Sequence, residues 1–134
     1  MKAPLMSPPA LHRILLVEDD PDIRLVATMA LESVGGFSIV SCGSGAEALA
    51  RFGETAPDLV LLDVMMPGMD GPATLAALRR LPGGGAPVVF MTARVQASEI
   101  DGYRQMGAVD IIAKPFDPMT LSETVREIWR AWHG

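Results

Sequence analysis

Glu18, Asp19, Asp63, Thr92 and Lys114 each stand where a short apolar run stops. Ile14–Val17 leads into Glu18-Asp19-Asp20, Leu59–Leu62 into Asp63, Val88–Met91 into Thr92, and Ile111–Ala113 into Lys114. If these runs are neighbouring parallel strands, their carboxyl ends share one rim, and open α/β sheets bind ligands at such a rim. Carboxylates crowded there repel one another unless a cation intervenes. Oxygen ligands suit a hard divalent ion, Mg²⁺ above all, which keeps several of its waters. A carboxylate beside such an ion, an ammonium and a hydroxyl can attack phosphorus and become an acyl phosphate. The ion and the ammonium would neutralise the phosphoryl oxygens as charge shifts.

The elements that must position these groups are legible from periodicity. Apolar runs at Arg13–Val17, Phe37–Val40, Leu59–Leu62, Val88–Met91 and Val109–Ala113 alternate with helix-period segments. Nearly continuous apolar runs are the pattern of strands buried on both faces of a parallel sheet. Asp20 is placed to cap the first helix, with Pro21 at its first position. Ile23, Val26, Ala27, Ala30, Leu31 and Val34 make its expected inward stripe, and Gly35-Gly36 its end. Ser44 and Glu47 form a capping box for the second helix, which stops at Gly53. The third is expected from Asp70-Gly71-Pro72 to Pro82 and its following glycines, the fourth from Ala97 to Met106. The fifth is expected to begin at Asp117-Pro118, with Leu121, Val125, Ile128 and Trp132 as its stripe. Alternation of this kind predicts (βα)₅, a doubly wound sandwich with right-handed crossovers. The second strand ends in Ser41-Cys42-Gly43 and offers the rim nothing comparable. It is therefore expected at the edge, in the flavodoxin-like order 2-1-3-4-5.

The bulk properties exclude several classes. A chain of 134 residues has room for one ordinary domain. Residues 1–10 read as a disordered tail and 11–134 as the domain, which ends directly after its fifth helix and so predicts no attached output domain. A formal net charge of −5 argues against a nucleic-acid surface. No stretch is long and apolar enough to span a bilayer, and Met1–Pro9 lacks the apolar core of a signal peptide, so a cytoplasmic location is expected. Cys42 is the only cysteine, which rules out an internal disulfide and CxxC chemistry. Apart from Lys2 in the tail, Lys114 is the only lysine, in a chain whose other basic residues are arginine.

At this point the sequence resembles the receiver domains of two-component response regulators. The resemblance is carried by Ile14-Leu15-Leu16-Val17-Glu18-Asp19-Asp20-Pro21, by Asp63-Val64-Met65-Met66-Pro67-Gly68-Met69-Asp70-Gly71, by Met91-Thr92-Ala93 and by Lys114-Pro115-Phe116. It covers residues 11 to 132, and the four pieces together, on four strand ends, are highly specific. The resemblance implies that Asp63 is the phosphoacceptor. It implies Asp19 as a direct metal ligand, Glu18 as a ligand through water, and the Met65 backbone carbonyl as a further ligand. The metal implied is Mg²⁺, for which Mn²⁺ can substitute. Thr92 and Lys114 become the pair that contacts the phosphoryl group, Thr92 also the switch residue, and Lys114-Pro115 a cis peptide. The implied partners are a sensor histidine kinase or a histidine phosphotransfer protein as donor, and a downstream protein on the face of helix 4, strand 5 and helix 5. Ile100, Tyr103, Arg104, Met119, Glu123 and Arg126 are that face's candidates.

Two features qualify the implication. Many receivers carry an aromatic three residues before the lysine, and here that position is Ile111, which cannot make the same rotameric swing. Output would then rest more on the loop after Thr92 and on the fourth helix. A phosphohydrolase working through an aspartyl phosphate usually has a second Asp two residues past the nucleophile, and here that residue is Met65. Self-modification without turnover is thus the expectation, ahead of a true enzyme or of a pseudo-receiver that binds partners without phosphate.

Overall fold

The computed structural model describes residues Pro9 to His133. The tail assigned to residues 1–10 lies outside this range except for Pro9 and Ala10. The elements follow one another as β1 (Arg13–Val17), α1 (Pro21–Met29), β2 (Ser38–Cys42), α2 (Gly45–Thr55), β3 (Leu59–Asp63), α3 (Gly71–Leu78), β4 (Val88–Thr92), α4 (Ala97–Gln105), β5 (Asp110–Ala113) and α5 (Leu121–His133). The strands form one parallel sheet in the order β2-β1-β3-β4-β5. The fold class, the strand order and the edge position of the second strand are therefore as the sequence predicts.

Strand alternation divides the core in two. Ile14, Leu16, Leu59, Leu61, Val89, Met91 and Ile112 face α1 and α5, meeting Ala27, Leu31, Leu121, Val125, Ile128 and Trp129. Leu15, Val17, Val60, Leu62, Val88 and Phe90 face the other layer, meeting Ala48, Phe52, Leu75 and Leu78 from α2 and α3. Successive strand side chains point to opposite faces, so the central strands are apolar at every position and β3 and β4 are buried along their whole lengths.

The helix stripes needed correction. Ala27, Ala30 and Leu31 are buried as expected, but Val26 and Val34 are 43% and 51% exposed. For Val34 the cause is at the end of α1, where Ala30–Val34 widens into a π-helical turn and rotates the last residues off the 3.6 period; Val26 lies in the regular helix before that turn. In α5 the buried tryptophan is Trp129, whereas Trp132 is 45% exposed at the rim. Asp117 and Pro118 form a turn ahead of α5, with the Asp117 carboxylate accepting from Met119 N–H. Helix α3 ends at Leu78, four residues before Pro82. Arg79 closes the following turn by donating to the carbonyls of Gly84 and Ala86. No helix among the described residues is long and apolar enough to cross a membrane.

Candidate functional site

The carboxyl ends of β1, β3, β4 and β5 deliver the predicted groups to one rim. Glu18 follows β1, Asp63 ends β3, Thr92 ends β4 and Lys114 follows β5. Register holds the last two alongside the third, since Asp63 pairs with Met91 and Thr92 with Ala113. The Lys114 Nζ lies 2.9 Å from Glu18 Oε1 and 3.3 Å from Asp63 Oδ1. Glu18, Asp19 and Asp63 each offer a carboxylate oxygen, and these oxygens lie within 4.8 Å of one another. Groups separated by up to 96 positions in the chain thus meet at one point.

Two of the three carboxylates are held by hydrogen bonds. Glu18 is fully buried. Its N–H donates to the Cys42 carbonyl across the β1–β2 edge. Its Oε1 accepts from Lys114 and its Oε2 from Asp20 N–H at 3.2 Å. Asp63 is 2% exposed and its Oδ1 accepts from Met65 N–H at 3.3 Å. The next residues turn away closely: a side chain on Gly71 would meet the Asp63 carbonyl at 2.6 Å, so the approach of α3 behind Asp63 requires glycine. Asp20 is a cap and not part of the cluster, its carboxylate accepting from the N–H groups of Asp22 and Ile23. Asp70 caps α3 through Ala73 N–H, and Asp58 sits at the far end of the sheet, accepting from His12 and Arg13 N–H. Ser44 caps α2, while Glu47 reaches back to Gly43 N–H, one residue earlier than the expected box.

The electrostatics favour a bound cation. Burial, with Glu18 alongside, pushes the Asp63 carboxyl up to about 7, against the smaller downward pull of Lys114. Burial alone would lower the Lys114 ammonium, but Glu18 and Asp63 outweigh it and the net shift is upward. One ammonium therefore faces three acidic side chains, two of them buried. Hard oxygen donors, an excess of negative charge and a carboxyl reluctant to ionise fit a hard divalent cation.

The remaining predicted residues fall around this centre. Thr92 is buried and its Oγ accepts from Arg94 N–H at 3.0 Å, which leaves the hydroxyl proton to donate. Met65 is 65% exposed, so its thioether is not in the core and is no competitor for the hard ligands. The Lys114-Pro115 peptide is cis. Ile111 is half-buried and packs with Tyr103 against the α2–α3 layer. Arg126 does not belong to the α4–β5–α5 face. Its guanidinium donates to the Gly35 carbonyl and lies 4.5 Å above the Phe37 ring, on the α1 side of α5. Ile23, Val26, Ala93, Lys114, Pro115 and Phe116 line a cavity of about 480 Å³ beside the rim, almost wholly apolar.

Sequence reading missed Arg24. Its Nη1 donates to the Glu18 carbonyl at 2.7 Å. The available signal was its place one turn past the Asp20 cap, where a helical residue looks back at the preceding loop.

The comparisons agree with this geometry. The family profile of the response regulator receiver domain matches residues 14–126. The DNA-binding response regulator MtrA of Mycolicibacterium smegmatis is 40% identical over 115 residues, which is 86% of this chain and 49% of that protein. The chain thus spans about half the length of the curated relatives it matches. The chemotaxis protein CheY4 of Vibrio cholerae superposes with a TM-score of 0.82 at 28% identity, covering 89% of this chain and 99% of that one. A response regulator from Desulfuromonas acetoxidans superposes with a TM-score of 0.78 at 30% identity, covering 90% and 98%. With the profile matching residues of all five strands and the rim they build, the chain belongs to the response regulator receiver domain family.

Proposed function

We propose that this domain accepts a phosphoryl group on Asp63 from a phosphohistidine of a sensor kinase or phosphotransfer protein, and that the acyl phosphate shifts the domain between two states read by a partner protein. The observation that carries the reading is the reach of one ammonium, Lys114 Nζ, to both Glu18 and Asp63 inside a cluster of carboxylate oxygens. Glu18, Asp19 and Asp63 would hold the cation, with the Met65 carbonyl as a further ligand, and Mg²⁺ is the ion proposed. When bound, such an ion neutralises negative charge on the transferring phosphoryl group.

The chain's own residues do the rest. Asp63 Oδ attacks phosphorus as the P–N bond to the donor imidazole breaks, and the imidazole leaves with its electron pair. Asp63 must be ionised to attack, and positive charge nearby favours the ionised form that burial opposes. Lys114 supplies part of that charge and then pairs with a phosphoryl oxygen. Thr92 donates its hydroxyl proton to another. The apolar cavity beside Lys114 gives the donor protein a surface on which to seat its histidine. Hydrolysis of the acyl phosphate in the same site restores the starting state, so the domain modifies itself and turns over no separate substrate.

The test is labelling of the full chain with phosphoramidate or acetyl phosphate. Wild type should take up one base-labile phosphoryl group in Mg²⁺ and none in EDTA, and Asp63→Asn should take up none. Equal labelling of Asp63→Asn would remove Asp63 from the mechanism.

A further inference from the structure

Arg24 is a half-buried residue in the first turn of α1, and it touches neither Asp19 nor Asp63 in any hydrogen bond or ion pair of the described residues. It nevertheless holds the one polar atom of Glu18 that the sheet and the site do not. The Glu18 N–H belongs to Cys42, Oε1 to Lys114 and Oε2 to Asp20. The carbonyl belongs to Arg24.

That carbonyl is the first to leave the ladder. The Glu18 N–H faces β2, and the parallel pairing of β1 with β2 ends at Val17 and Cys42. Beyond it the oxygen of the peptide joining Glu18 to Asp19 accepts from Arg24 and from no backbone N–H outside the ladders among the described residues. Rotation of that plane swings the Asp19 side chain relative to Glu18, because the two carboxylates hang on either side of it. The guanidinium stops the rotation with a charge-assisted bond, the stronger kind. Its own place is fixed from the other side. A side chain on Gly43 would meet Arg24 Nη1 at 3.0 Å, so the β2–α2 loop packs directly against the guanidinium.

We propose that Arg24 is a positioning residue for the acidic rim: it locks the Glu18–Asp19 peptide plane so that both carboxylates face the cation site together. The inference rests on the reading of that rim as a divalent-cation site. Groups that orient metal ligands through a hydrogen bond typically change affinity by ~10–100-fold when removed.

The experiment measures metal binding directly, with Mn²⁺ as probe, from the EPR signal of the free ion, and with Mg²⁺ by competition. Arg24→Gln should weaken Mn²⁺ binding ~10-fold or more. Arg24→Lys, which keeps one charged donor, should recover most of the loss. Gly43→Ala keeps the arginine but crowds its Nη1, which the new methyl would meet at 3.0 Å, and should weaken binding a few-fold. It keeps the test open if Arg24→Gln does not fold. Urea unfolding in EDTA separates a loss of ligand geometry from a loss of fold. Wild-type affinity in a folded Arg24→Gln or, failing that, in Gly43→Ala would overturn the role of Arg24. The underlying site has its own control. Wild type that binds no Mn²⁺, or Asp19→Asn that binds it unchanged, would overturn the cation reading itself, whatever the arginine does.

Discussion

Two helices flank β5, and the chain treats them in opposite ways. On one face α5 buries Leu121, Ser122, Val125, Ile128 and Trp129. It is also tied down by polar bonds of long reach: Ser122 Oγ to the Ala30 carbonyl, Arg126 to the Gly35 carbonyl, Trp129 Nε1 to the Pro9 carbonyl. On the other face α4 buries no residue and its N-terminus has no side-chain cap. Its main apolar anchor is the Tyr103 ring, edge-on to Phe90 with centroids 5.3 Å apart. Burying one large apolar side chain is worth ~1.5–3 kcal/mol, so α5 is held by several such increments and α4 by a fraction of them. The weakly held helix is also the one that begins just after Thr92. An element that must move when Thr92 moves has to come from the low-stability end of the fold, and α4 meets that condition while α5 does not.

The largest expected effect tests the packing half of that contrast. Trp129→Ala should cost ~3–5 kcal/mol, as for large aromatic truncations in cores. Ile100→Ala, on α4, should cost about 1 kcal/mol or less. Urea unfolding of the two variants gives the answer, and comparable losses would refute the view that the two helices differ in anchorage.

Next in size is a dependence on pH that should spare α4. The native Asp63 carboxyl is raised from 3.8 to about 7 by burial and by Glu18. Between those values the native state keeps a proton that the unfolded chain has released. Stability in EDTA should therefore fall as pH rises from 4 and level off above about 7, a loss of order 2–4 kcal/mol. Lys114 is shifted upward from 10.5 and stays charged across this window, so it contributes none of the slope. Asp63→Asn should abolish the dependence and be the more stable protein at pH 8, and Mg²⁺ should restore wild type there. Because Asp63 sits in a core strand, the loss should appear in global unfolding and leave α4 exchange rates alone.

How much of this was legible in the sequence follows from what each feature depends on. Strands buried on both faces are apolar at every position, so β1, β3 and β4 could be placed to within a residue at either end. The site was legible for the same reason: Glu18, Asp63, Thr92 and Lys114 are polar interruptions of such runs, and parallel order sends all of them to one rim. Helix faces were less legible. The stripe of α1 failed at Val34 because a π-helical turn breaks the period, and nothing in Ala30–Val34 advertises it. Arg126 was misplaced because assigning a face of α5 depends on what α1 and its π-turn present to it. Arg24 was overlooked because its partner is a backbone carbonyl, which has no signature in a list of side chains.

A third prediction concerns local opening. Amides of α4 should exchange through openings well below the global free energy, while the middle of α5, around Val125 and Ile128, should exchange only on global unfolding. Phosphorylation should change protection in α4 and in the loop from Ala93 to Gln96, and leave α5 nearly unchanged. Equal protection in both helices before phosphorylation would mean that burial is a poor guide to which element is free to move.

The smallest effect is also the most selective. Gly102 lies inside α4, where an added methyl would meet no atom within 4 Å. Glycine in a helix interior costs ~1 kcal/mol relative to alanine, and no close approach or positive φ at this position explains its presence. Gly102→Ala should therefore stabilise α4 by roughly 0.5–1 kcal/mol without touching the rim or the core. The gain should show as slower exchange of α4 amides, with phosphoryl uptake on Asp63 unaltered. If α4 is weak so that it can respond, the same variant should blunt the change that phosphorylation produces in α4 exchange. A variant that firms the helix and still shows the full change would separate looseness from response, and leave the contrast with α5 as a matter of packing alone.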